Sequence, residues 1–154
     1  MEGHVKKADG ASLVGFSGVL VVVLLMGQAA QAATITVSTS DDELNFDGDC
    51  SLREAVQAAN IDAGVDACTA GSGIDTVVLP AGLYVLAIAG EGEDQNETGD
   101  LDITSSMTIN GAGAATTVID GAQLDRVFHV DPSGSGTTVL ITDVTVRNGI
   151  APPF

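Results

Sequence analysis

The sequence predicts a mainly β protein that winds as a parallel β-helix, with one short helix ahead of the strands. Three observations lead there. After residue 32, helical periodicity occurs once, in residues 51–60, and not again beyond Asn60. From Ile74 onward, short β-rich pieces alternate with tight Gly and Asp or Asn turns: "LDIT", "SMTING", "TTVIDG", "RVFHV" and "TTVLITDVTVRNG". Similar phrases recur as well, "TINGAG", "VIDGA" and "VTVRNG", each with β-branched residues followed by Asn or Asp near Gly. An antiparallel sandwich or barrel also accommodates short strands, but recurring corners favour stacked coils. "RVFHV" begins about one coil after "LDIT", and "SMTING" and "TDVTVRNG" read as equivalent corners of separate coils. Asn and Asp suit such corners because they tolerate left-handed backbone angles. At about 25 residues per coil, residues 74–150 hold roughly three coils.

The chain opens with a targeting pattern. Lys6 and Lys7 precede a short apolar run, "LVGFSGVLVVVLLM", and Ala30 and Ala32 occupy the −3 and −1 positions of an A-x-A cleavage site. This is the layout of a secretory signal peptide over residues 1–32. The run is short for a membrane span, so no transmembrane span is expected in the mature chain, which begins near Ala33. The 154 residues carry five Lys plus Arg against 21 Asp plus Glu, a net charge of −16, and loss of residues 1–32 leaves that charge unchanged. Only Arg53, Arg126 and Arg147 then remain as full cations. Nucleic acid is excluded as a partner, since phosphate contacts need clustered Lys and Arg. An acidic surface favours divalent cations instead. Trp is absent, so a carbohydrate site built on stacked rings has little material.

Export changes how the two cysteines read. In an oxidising compartment, Cys50 and Cys68 pair as a disulfide. Closing that loop contributes on the order of 3 kcal/mol. A zinc site needs more ligands than these, and a nucleophilic cysteine would want a histidine, of which only His129 remains after residue 32.

The segment "CSLREAVQAAN" (residues 50–60) carries the helix. Ser51 and Glu54 form a capping box. Leu52, Ala55, Val56 and Ala59 fall at i, i+3, i+4 and i+7, one apolar stripe. Arg53 and Glu54 are adjacent and point in different directions, so they do not form an acid–base couple. Arg53 is expected to reach an acidic residue or free carbonyls at the start of the sheet. Before the helix, "ATITVSTS" reads as a strand and "DDELNFDGD" as an acidic loop.

These stretches match a known pattern. "CSLREA", together with "DACTAGSGIDTVVLPAGLYVL", "GEDQNETGDLDI", "MTINGAGAATTVIDG" and "DRVFHV", resembles the CSLREA domain family over residues 33–149. The resemblance implies a secreted or cell-surface bacterial protein. It also implies a right-handed parallel β-helix of the pectin-lyase-like type, with residues 33–73 as an N-terminal cap and residues 74–150 as the start of the β-helix. It implies little about chemistry, since fold does not give function. Residues 151–154 fall inside what should be a continuing solenoid, so the chain reads as a truncated frame or fragment. The alternative is an end closed by a partner or by self-association.

A lyase on this fold needs carboxylates holding calcium and a basic residue; a hydrolase needs clustered carboxylates. The candidates are Asp100 with Asp102, Asp143 with Arg147, and Arg126 with His129. Each has a structural explanation: turn amides for the aspartates, pairing of Arg126 with Asp125 or Asp120, and an outward strand position for His129. No cofactor is required. Calcium is the one ion the acidic loops suggest, through Asp41, Asp42, Asp47 and Asp49, and through Asp100 and Asp102; the twelve-residue EF-hand spacing is missing. The expected function is a non-catalytic end cap of an extracellular β-helix used for surface display, adhesion or binding, with a carbohydrate or a host or cell-surface ligand as partner. The alternative is the leading fragment of a carbohydrate-active enzyme, a polysaccharide lyase or glycoside hydrolase, whose catalytic coils lie elsewhere.

Overall fold

The computed structural model describes residues 31–151. Residues 1–30 of the expected signal peptide and residues 152–154 of the expected truncated end lie outside the described residues. The described chain is mainly strand, in parallel sheets, with one short helix.

The order is β1 (Thr34–Thr36), α1 (Leu52–Ile61), β2 (Asp75–Leu79), β3 (Gly82–Val85), β4 (Leu101–Ile103), β5 (Met107–Gly111), β6 (Thr117–Asp120), β7 (Phe128–Val130), β8 (Val139–Thr142) and β9 (Thr145–Arg147). From β2 the chain visits three sheets in turn and then repeats. The sheets are β1-β2-β5-β8, β3-β6-β9 and β4-β7, and every strand pair in them is parallel. The described residues hold two full circuits and two strands of a third.

Register fixes which residues face inward, because side chains alternate along a strand. Ile35, Val77, Ile109 and Ile141 stack in one inward row. Tyr84, Ile119 and Val146 form a second. Leu101 on Phe128, and Ile103 on Val130, form two more. Burial is complete near α1, with Ile35, Val77 and Ile109 at 0% exposure, and it fades at the far end, where Val146 is 44% exposed.

The circuits are longer than the sequence suggests; the steps from Val77 to Ile109 and from Ile109 to Ile141 are equal, but the loops within each circuit are not. Within one sheet, the step from Leu83 to its partner Val118 is longer than the step from Val118 to its partner Thr145. The first of these contains the acidic loop between β3 and β4, and the second does not. Loops at the corners can therefore vary in length while the strands keep their stacking. One corner assignment also fails. "SMTING" (β5) stacks between β2 and β8, whereas "VTVRNG" (β9) stacks on "VIDGA" (β6). Asn-Gly phrases mark a turn in either sheet, so phrase similarity alone does not identify the equivalent coil.

Helix α1 closes the end of the stack. Ser51 Oγ accepts from Glu54 N at 3.1 Å and Glu54 Oε2 accepts from Ser51 N at 2.9 Å, which completes the capping box. Leu52, Ala55, Val56 and Ala59 are buried, and so is Ala58. The helix packs on β1, β2 and β4. Burying Leu52 and Val56 contributes roughly 1.5–3 kcal/mol each. Cys50 and Cys68 are disulfide-bonded, 18 residues apart, with Cα atoms 4.8 Å from each other.

Candidate functional site

Arg53 and Asn60 are two turns of the helix apart and so share a face. That face meets the outer edge of β4, which β7 leaves unpaired on the helix side. Unpaired strand edges need partners when buried. Arg53 supplies them at one end: Nη1 donates to Asp100 O at 3.0 Å and Nη2 to Gly99 O at 2.9 Å. Asn60 supplies them at the other: Nδ2 donates to Asp102 O at 2.7 Å, and Oδ1 accepts from Thr104 N at 2.9 Å.

Arg53 is wholly buried, and its charge is met by Asp42. Nε donates to Oδ1 at 2.7 Å and Nη2 to Oδ2 at 3.0 Å, a two-bonded pair. Asp42 Oδ2 also accepts from Ala87 N at 2.7 Å and Ile88 N at 3.0 Å, just after β3. One carboxylate thus ties the helix to the chain leaving β3. The Asp42 side chain is 4% exposed and already fully engaged, so it is not free to bind calcium. Glu54 goes beyond the capping box, since its Oε1 accepts from Asn45 N at 3.1 Å and so orders the acidic loop.

Asn96 completes the cap from the loop before β4. It is buried, its Nδ2 donates to Arg53 O at 2.9 Å, and its backbone N donates to Asp102 Oδ2 at 3.0 Å. Within that loop, Glu93 accepts from Gln95 N, Glu97 N and Thr98 N, each at 2.8 Å, a turn anchored by one carboxylate.

The acidic residues group differently from the sequence expectation. Asp41 is exposed, and its carboxylate is not among the oxygens that converge. Asp47 and Asp49 do come together, but with Glu43, and one oxygen from each lies within 4.8 Å of the others. Buried oxygens Glu43 Oε1 and Asp49 Oδ1 have no hydrogen-bond partner among the described residues. Burial first, and then the Asp47 charge, raises the Glu43 and Asp49 carboxyls above their ordinary range. Oxygen donors of this kind suit a hard divalent cation or a shared proton.

Asp100 and Asp102 flank the core residue Leu101 and have separate partners. Asp100 Oδ2 accepts from Arg126 Nε at 2.7 Å. Asp102 Oδ1 lies 3.1 Å from His129 Nδ1, and Asp94 Oδ1 lies 3.3 Å from the same nitrogen. Burial pushes Asp102 up to about 6, against the opposing hydrogen bond from Asn96 N. Arg147 pairs with Asp120 rather than Asp143, and Arg126 and His129 take different carboxylate partners. Arg126 reaches Asp100 and Asp125 rather than Asp120, whose Oδ2 instead accepts from Arg147 Nε at 2.8 Å. His129 faces outward from β7, opposite in sense to Phe128 and Val130, and is half-buried there against Asp94 and Asp102. A hollow beside α1 is lined by Gln57, Asn60, Ile61, Asp94, Gln95 and Thr104, with no aromatic ring.

Asn60, Asn96, Glu43 and Asp94 were not singled out from the sequence. Only Asn60 carried a usable signal, its two-turn spacing from Arg53 beside the apolar stripe. No helix among the described residues is long and apolar enough to cross a membrane. No family model matches the chain, and no curated protein or solved structure matches it either.

Proposed function

We propose that residues 33–73 are the N-terminal cap of an exported, right-handed, pectin-lyase-like parallel β-helix of the CSLREA type, serving surface display, adhesion or binding rather than catalysis. One observation carries this reading: two side chains of a single helix, Arg53 and Asn60, satisfy the free edge of β4. A device of that kind stops further strand pairing at one end of the stack. Right-handedness is supported by the strong preference of parallel crossover connections for that hand. Export is supported by the A-x-A pattern and by the disulfide, a bond of oxidising compartments. A structural role for the acidic residues is supported by their partners: Asp42, Asp100 and Asp120 each hold an arginine.

The test is to read the coding sequence beyond codon 154 and to probe intact cells with an external protease. The proposal expects further strand-and-corner repeats leading to a sorting or outer-membrane anchor, with the protein digested from outside. A downstream lyase-type or hydrolase-type carboxylate cluster, with turnover of a polysaccharide by the full protein, would replace it with the enzyme reading.

A further inference from the structure

Asp75 stands where an apolar residue belongs. It opens β2 and pairs with Met107, which in turn pairs with Val139, so that it heads an otherwise apolar row. It is 0% exposed. Its Oδ1 accepts from Ala33 N at 2.8 Å, and Ser72 N donates to Oδ1 at 2.9 Å and to Oδ2 at 3.1 Å. Gly71 packs the loop tightly over it: a Cβ there would lie 2.6 Å from Asp75 Oδ2 and 2.5 Å from Ala58 O. Among the described residues no arginine or histidine pairs with this carboxylate. A buried carboxylate without a cation is costly.

The missing cation has a source in the sequence. Ala33 directly follows the A-x-A pattern, Gln31 and Ala32 are exposed, and Thr76 N donates to Ala33 O at 2.9 Å, which locks Ala33 in register. Hydrolysis of the Ala32–Ala33 bond adds water across it, leaving a carboxylate on Ala32 and an amine on Ala33 that takes up a proton. The single N–H now facing Asp75 becomes an ammonium with three donors and a full charge.

We propose that Asp75 is a built receptor for the Ala33 α-ammonium group, so that proteolytic processing by an export peptidase locks the first strand to the second. The proposal rests on the signal-peptide reading of residues 1–32 and on nothing about what the β-helix binds.

A clean measurement is available because both lysines, Lys6 and Lys7, precede the cleavage point. Residues 33–154 contain no lysine, so the new N-terminus is the one primary amine in that span, and the label is read on the N-terminal peptide. Exported protein is purified and its N-terminus read by intact mass and terminal sequencing. It is then labelled with trace acetic anhydride, folded and in urea. The expected chain begins at Ala33. An amine raised by about one pKa unit and shielded labels at least about tenfold more slowly in the folded protein than in urea. Asp75→Asn, checked for folding by circular dichroism, restores the rate to within about twofold. The wild-type ratio stands even if the variant does not fold. A chain beginning elsewhere overturns the cleavage and with it the proposal. A chain beginning at Ala33 whose amine labels equally fast folded and unfolded overturns the pairing alone. Neither result bears on helix α1 as an end cap.

Discussion

The Asn60 side-chain amide lies against β4 as a neighbouring strand's peptide would, donating to Asp102 O at 2.7 Å and accepting from Thr104 N at 2.9 Å. Ser105 N is shared weakly at 3.3 Å, and Ser105 Oγ returns a bond to Asn60 O at 3.1 Å. Asn60→Ala removes both functions at once and leaves buried backbone groups unpaired. The expected cost is about 1–3 kcal/mol, read as a lower urea midpoint with an unchanged slope. Asn60→Asp keeps the acceptor for Thr104 N and loses the donor, so it falls between the two.

Arg53→Ala leaves Asp42 without its cation while Asp42 still holds Ala87 N and Ile88 N. Breaking a buried pair from one side is expected to cost about 3–5 kcal/mol. Arg53→Lys recovers part of this, since an ammonium cannot span two carboxylate oxygens and two carbonyls as the guanidinium fork does. Arg53→Met combined with Asp42→Asn should cost less than the two single changes added together. Additive losses in chemical denaturation would mean that the pair is not coupled.

Reduction of Cys50–Cys68 frees an 18-residue separation in the unfolded chain. The expected loss is about 3 kcal/mol, seen as a shifted urea midpoint with reductant present. The Cys50→Ala, Cys68→Ala double variant should show the same loss and no further response to reductant.

Glu43 carries a pH signature of defined sign. Its folded-state carboxyl is held above the ordinary range, so its contribution to stability is present at low pH and is lost as pH rises through the folded value. Glu43→Gln is therefore expected to melt higher than wild type at pH 7, with the gap closing toward pH 4. Calcium gives the second arm of the measurement. Millimolar calcium that raises the wild-type melting temperature but not that of the variant would assign the Glu43, Asp47 and Asp49 oxygens to a cation. No response would leave them as a group sharing protons.

What was legible in the sequence was local. Ser51, Glu54 and the stripe from Leu52 to Ala59 lie within one helix, where spacing determines direction. Strand pieces after Ile74 were legible as β because β-branched residues alternate there. The partners of Arg53 were not, because Gly99 and Asp100 lie 46 and 47 residues away and meet it only through the stacking of circuits. The same holds for the calcium candidates. Four aspartates on one loop look equivalent in sequence, but Asp42 turns inward to Arg53 while Asp47 and Asp49 turn toward Glu43. Asp75 shows a third limit. A carboxylate at an inward strand position reads as a mismatch until the close approach of Ala33 is seen.

Parallel pairing has a kinetic corollary. Every strand ladder joins segments far apart in the chain, as with Leu101 and Phe128, and most of all with Thr34 and Thr76. Each must close a long stretch of disordered chain before its contacts repay the lost entropy. The segment between Cys50 and Cys68 closes a shorter one and includes the helix. Helix α1 within that loop is therefore expected to form early, while its docking on β4 through Arg53 and Asn60 closes a longer stretch and follows. Substitutions in the capping box at Ser51 or Glu54 should slow refolding, whereas those at Asn60 or in β8 or β9 should chiefly hasten unfolding.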